Sequence, residues 1–225
     1  MDLSWEELGN VKGKRLIESL EVASTISVLK LSKISIGDEV ISELSGFLKY
    51  NRTIKELHLG LNDIGASGAK YISDFLFVNS TLRSLDLGGN SLGPTGVQYI
   101  GKSLEVNSTL VSINIGSNKI GSGGAGMLAQ SLALNSTLTD LSLYFNQIIT
   151  LEFVTPHLKK NNSLIHLDLS YNEFQNTGIS TITEYLAFNS VLTELNLEGN
   201  KIGAEGGKYI AMSLKSNSKL GYLNL

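Results

Sequence analysis

TLRSLDLGGNSLGPTGVQYIGKSLEVNSTL, from Thr81 to Leu110, is the unit from which nearly the whole chain is built. Counted from Asn90 as zero, Leu82, Leu85 and Leu87 fall at minus 8, minus 5 and minus 3. Leu92, Val97, Ile100 and Leu104 follow at plus 2, 7, 10 and 14, with Gly93 and Gly96 between them and Asn107 at plus 17. The frame recurs with Asn62, Asn118, Asn146, Asn172 and Asn200 at zero, 28 residues apart except for one step of 26. A fixed period of this length marks a solenoid, because each unit buries its apolar face only against its neighbours.

Within a unit, leucines alternating with polar residues read as a short strand at minus 6 to minus 2. Apolar residues at plus 7, 10 and 14 have helical spacing and read as a helix from about plus 5 to plus 15. Strand followed by helix, repeated, predicts an α/β fold: a right-handed βα solenoid with a concave parallel sheet and convex helices. The zero-position asparagine is expected to turn its amide inward, onto backbone groups that the loops would otherwise leave unpaired. Glycines at plus 3 and plus 6 suit a tight turn into the helix, and Pro94 fits a first helical position.

The frame runs back to Ile34 at zero, with Ile26, Leu29, Leu31, Ile36, Ile41, Leu44 and Leu48 in phase, and further back to Leu3, Leu8, Leu16 and Leu20. Residues 1–25 read as an N-terminal half repeat and cap, 26–219 as the repeats, and 220–225 as the start of a further, truncated one. In the cap, Trp5 is expected to cover core surface while Glu6, Glu7, Lys12, Lys14, Arg15 and Glu18 face water. The Leu220–Leu225 strand ends the sequence without a cap, an edge open to self-association or continuation.

A formal charge of −3 and scattered lysines argue against nucleic-acid or anionic-membrane partners. The sequence holds no cysteine, hence no disulfide caps, which fits a reducing cytosol. No run approaches the roughly 20 apolar residues of a membrane span, and MDLSWEELGN is too polar for a signal peptide, so a cytoplasmic protein is expected. Lysine exceeds arginine 15 to 3, and Ile, Ser and Asn are plentiful, as in an AT-rich genome. For a bacterial effector the compartment would be the host-cell cytosol. Asn51, Asn79, Asn107, Asn135 and Asn161 open glycosylation triplets, but Asn189 and Asn217 hold the same phase without one. The position therefore reads as a helix end in a left-handed turn.

The run LxxLxLxxN is the leucine-rich repeat motif. With N-x-I-G-x-x-G and L-x-x-N-S-T-L, the chain resembles leucine-rich repeats of the ribonuclease-inhibitor-like class, most of all those of NOD-like receptors. It resembles Ran GTPase-activating proteins and tropomodulins more loosely. That resemblance implies a horseshoe fold and a binding scaffold, not an enzyme, with two alternatives: GTPase activation of the Ran-activator type, and a self-assembling structural module joined through the uncapped Leu220–Leu225 strand. The partner is set by variable positions rather than by the fold.

Outward strand positions form columns across the repeats. The first half of these columns is small and bland, whereas the second half, centred on the fifth to seventh strands, gathers Tyr144, Phe145, Tyr171 and Tyr222 with Asp140, Asp168, Glu194 and Glu198. Aromatic anchors ringed by polar groups are what protein interfaces use, so these residues and His166 are the expected partner-binding set, for a basic or apolar surface. His166 stands between Asp140 and Glu194 in one column. A metal site would need more ligands at closer range, with His58 four strands away, and Ser142 is only a diagonal neighbour as a nucleophile, so neither metal nor cofactor is expected. Arg15, Arg52 and Arg83 alone could supply a guanidinium for GTPase activation. After Asn146, QIITLEFVTPHLKKNNSL lacks both glycines and two residues, and Thr155-Pro156 predicts a short or kinked helix.

Overall fold

The computed structural model describes residues 1–20 and 25–225; residues 21–24, the close of the N-terminal unit expected over 1–25, lie outside the described residues. Strands and helices alternate along the chain: α1 (Gly9–Leu20), β1 (Val28–Lys30), α2 (Asp38–Tyr50), β2 (Glu56–His58), α3 (Ala66–Leu76) and β3 (Ser84–Asp86). They continue as α4 (Gly93–Leu104), β4 (Ser112–Asn114), α5 (Gly121–Leu132), β5 (Asp140–Ser142), α6 (Thr155–Leu158) and β6 (His166–Asp168). The last are α7 (Gln175–Phe188), β7 (Glu194–Asn196), α8 (Ala204–Leu214) and β8 (Tyr222–Asn224). The strands pair in sequence order, all parallel, into one open eight-stranded sheet. Its register joins equivalent positions of successive repeats, such as Leu85 with Leu57 and Ile113.

The ladder strands are shorter than the period suggests, minus 6 to minus 4, but pairing continues past them. Leu87 N donates to Asn114 O and Gly89 N to Gly116 O, each at 2.9 Å. The chain then turns at minus 1, where every repeat is left-handed, from Lys33 (φ 54°) through Leu61, Gly89, Ser117, Phe145 and Tyr171 to Gly199 (φ 71°).

Core and pattern coincide. All seven apolar positions of the opening stretch, from Leu82 to Leu104, are buried, and each contributes roughly 1.5–3 kcal/mol relative to exposure. The zero asparagines act as expected. Asn118 Nδ2 donates to Leu87 O, Ile115 O and Gly116 O at 2.9, 3.2 and 3.0 Å, and its Oδ1 accepts from Leu92 N at 3.2 Å.

Two expectations are corrected. The plus 17 asparagines are not left-handed: Asn51 and Asn189 have φ of −66° and −69° with extended ψ. Instead they make a second ladder. Asn107 Nδ2 donates to Leu76 O at 2.7 Å and Asn79 O at 3.2 Å, while its Oδ1 accepts from Thr109 N and Leu110 N at 3.0 and 2.8 Å. Asn79, Asn107, Asn135 and Asn161 are buried by this, so a glycan on any of them would break the stack. Trp5 does not cover the core. It is 68% exposed at a left-handed position, with Lys33 Nζ 4.0 Å from its ring centroid.

The irregular repeat carries a four-residue helix, α6, with Pro156 in its first turn and Leu151, Val154 and Leu158 buried. Residues 149–153 lie between α5 and α7. A Cβ at Gly126 would meet Phe153 Cβ at 2.7 Å, and one at Gly178 would meet Ile149 O at 2.2 Å.

Candidate functional site

Parallel register sets Ser112, Asp140, His166, Glu194 and Tyr222 in one row across β4 to β8, with Asn114, Ser142, Asp168, Asn196 and Asn224 in the next row of the same face. Between the rows lies an open depression of about 330 Å³, floored by Ile113, Leu141 and Leu167 and walled by Asp140, His166, Asp168, Glu194 and Tyr222. Five of the nine sequence-predicted residues thus meet around one hollow.

His166 bridges the row. Its Nδ1 lies 2.5 Å from Asp140 Oδ1 and its Nε2 lies 3.7 Å from Glu194 Oε1. Asp140 also accepts from the Thr139 hydroxyl. Glu194 is the most exposed of the three side chains.

The other four predicted residues stand beyond the depression, towards the turn. The Tyr144 ring lies across Gly116, where a Cβ would come 2.0 Å from its Cε1. Tyr171 covers Gly199 in the same way and donates its hydroxyl to Glu198 Oε1 at 2.6 Å. That carboxylate raises the Tyr171 phenol above its ordinary pKa. Glu198 Oε2 accepts from Asn224 Nδ2 at 3.1 Å. Phe145 projects into solvent. Tyr222, at the depression's far wall, is exposed as well.

One local rule escaped the sequence reading. At minus 4, an Asp or Asn side chain accepts from the amide two residues on: Asp86 from Gly88, Asn114 from Gly116, Asp168 from Ser170 and Asn196 from Glu198, at 2.9–3.1 Å. Asp168 also accepts from Ser170 Oγ at 2.6 Å and Ser142 Oγ at 3.0 Å. Its carboxylate therefore shapes the rim as well as charging it. The recurrence of D or N at minus 4, in four of the five repeats from Asp86 to Asn196, was the available signal.

Arg52 and Arg83 stand away from this face, their guanidinium groups on the carbonyls of Lys49, Asn51 and Thr109 at 3.0–3.2 Å. Among the described residues no three of His, Cys, Asp or Glu gather as a metal-binding group, and no helix is long and apolar enough to cross a membrane.

Comparison with solved structures finds the same architecture. Internalin C2 from Listeria monocytogenes is 22% identical with a TM-score of 0.59, over 99% of this chain and 79% of that one. The structure titled leiomodin-1 actin-binding site 2 is 23% identical with a TM-score of 0.55, over 58% of this chain and 78% of that one. At such identity the likeness is one of fold. No curated protein matched the sequence. The leucine-rich repeat family model matches residues 50–73, 78–101, 106–129, 160–182 and 188–211, more than half the sequence. The chain belongs to the leucine-rich repeat family.

Proposed function

We infer that the chain is a non-enzymatic protein-binding module whose partner docks on the sheet face over β5 to β7. The observation that carries this reading is the 330 Å³ depression walled by Asp140, His166, Asp168, Glu194 and Tyr222, with Tyr144, Phe145 and Tyr171 beyond it, towards the turn. Asp140, Asp168 and Glu194, with Glu198 just past β7 and one imidazole, and with no Lys or Arg on those strands, make the face acidic. It matches a partner with basic and apolar groups, drawn in by charge and held by aromatic area.

Phe145 and Tyr171 support the reading in a second way. The left-handed turn at minus 1 accepts glycine in two repeats and lysine, leucine or serine in others. The turn does not ask for an aromatic ring, and a bulky side chain there costs about 1 kcal/mol. Both rings are half or more exposed, so little buried area offsets that cost.

The test compares the parent with Tyr144→Ala/Tyr171→Ala and with Phe145→Gly, in pull-downs from cytosolic extract followed by titration of the captured protein. Both variants are expected to lose at least about tenfold in affinity, the scale of a moderate hot spot. Phe145→Gly should stay within about 1 kcal/mol of parental stability, because relief at φ 52° offsets the added freedom of the unfolded chain. Undiminished binding by both variants would refute the placement of the site.

A further inference from the structure

Counting in the last two residues of α2 and of α7, each helix from α2 to α8 runs into the next strand through a seven-residue connector, and parallel pairing sets these connectors along one edge of the solenoid. The second asparagine ladder stacks them: Asn79 Nδ2 donates to Asn51 O at 3.3 Å, Asn107 to Asn79 O at 3.2 Å, and Asn135 to Asn107 O at 3.1 Å. After α2 to α8 the connectors read KYNRTIK (49–55), FVNSTLR (77–83), EVNSTLV (105–111), ALNSTLT (133–139), KKNNSLI (159–165), AFNSVLT (187–193) and KSNSKLG (215–221). They hold eight of the 18 Lys and Arg but one of the 21 Asp and Glu, namely Glu105, which pairs with Lys102. Eight against one leaves +7 on this edge of a chain whose formal net is −3, so the rest carries −10.

Part of that charge has a structural use. Cations complement the negative ends of the helix dipoles, and Arg52 Nη1 donates to Lys49 O and Asn51 O at 3.0 Å. Lys159 pairs with Glu184. Helix capping does not explain the apolar residues that stand between the cations. At plus 16, Tyr50, Val78, Val106, Leu134 and Phe188 are 82, 56, 62, 69 and 77% exposed. A single exposed leucine needs no explanation, but a phase-locked row of five is a surface.

We propose that this cationic, apolar-studded edge docks on an anionic lipid surface. The five side chains protrude one per repeat, and the hollow found among them, between Lys159 and Phe188, measures about 150 Å³, too small to seat a helix or strand of a protein partner. A bilayer asks for no matching groove. It asks for apolar side chains to enter the interface and for cations to meet the headgroups, and neither alone holds a protein firmly. Near the two ends of the row, Tyr50 is a residue type suited to headgroup depth and Phe188 one suited to the apolar side of the interface. Glu105 and Glu184 are each taken up by a lysine, and Glu56, Asp140 and Glu194 begin their strands and sit in the sheet-face row. The whole-chain charge had pointed away from such a surface, because lysines far apart in sequence come together only in the fold.

Flotation with vesicles of phosphatidylcholine alone, or with phosphatidylserine added, tests this on the full chain. The parent should float only with phosphatidylserine present, and less as salt is raised. Lys55→Glu/Arg83→Glu/Lys160→Glu and Val106→Ser/Leu134→Ser/Phe188→Ser should each cut the bound fraction at least about tenfold with thermal unfolding unchanged. Tyr144→Ala/Tyr171→Ala, on the other face, should float like the parent, so failure here and failure of the sheet-face reading are distinguishable. No flotation with either vesicle, or equal flotation by both triple variants, would overturn the proposal. Binding to polyglutamate without flotation would also overturn it and assign the edge to an acidic protein.

Discussion

At the scale of single residues, this fold is held by asparagine as much as by leucine. Asn118 and Asn107 occupy the two inner corners of a repeat, and each amide serves main-chain groups of two repeats. Asn118→Ala leaves one buried N–H and up to three carbonyls with fewer partners, and should cost about 3 kcal/mol in chemical denaturation. Asn107→Gly separates the two accounts of the plus 17 position. A left-handed helix end would tolerate glycine, whereas the ladder predicts a loss as large as that of Asn107→Ala. The zero asparagine was legible in sequence because a loop at the core edge needs a donor and acceptor there. The plus 17 asparagine was misread because a helix end and an internal ladder leave the same periodic trace. The site was legible in part: strand register follows from the period, so the His166 row could be placed. The hydrogen bonds of Asp168 and Glu198 depend on turn geometry that composition does not reveal.

At the scale of elements, α6 shows how a solenoid absorbs a deletion. Two missing residues leave a four-residue helix, and residues 149–153 fill the space between α5 and α7. The sequence announced the short helix through Thr155-Pro156 and the absent glycines. It gave no sign that α7 had made room, since Gly178 sits where other repeats also carry glycine, whereas Gly126 of α5 stands where they carry Ser, Lys or Gln. Gly178→Ala would set a methyl 2.2 Å from Ile149 O, a backbone atom that cannot swing aside. It should cost about 1–3 kcal/mol, the usual penalty of overpacking. Gly207→Ala, inside α8 with nothing within 4 Å of its added carbon, should instead raise stability by about 0.5–1 kcal/mol. Thermal unfolding of the two variants checks both signs, and a stabilising Gly178→Ala would mean that the 149–153 segment does not pack as described.

At the scale of the molecule, stability in a solenoid is a sum over repeats and their interfaces, so a weak interface can divide the cooperative unit. The helical layer is thinnest at α6, where β5 and β6 rest on Leu151, Val154 and Leu158 rather than on a full helix. Leu141 lies on this floor, beside a void of about 10 Å³ that Leu143, Val154, Leu158, Leu167 and Leu169 also line. The depression proposed as the binding site stands directly above, and Leu141 and Leu167 border both hollows. Leu141→Ala enlarges the lower one and should cost about 2–5 kcal/mol. Since that loss falls on the interface between repeats, unfolding should split into two transitions. Amides of β6 to β8 should lose protection from hydrogen exchange before those of β1 to β4. The same substitution in a regular repeat, Leu85→Ala, removes an equally buried side chain beneath a full helix and should lower one transition without dividing it. A single transition for Leu141→Ala would show that the continuous eight-stranded sheet, rather than the helical layer, sets the cooperative unit.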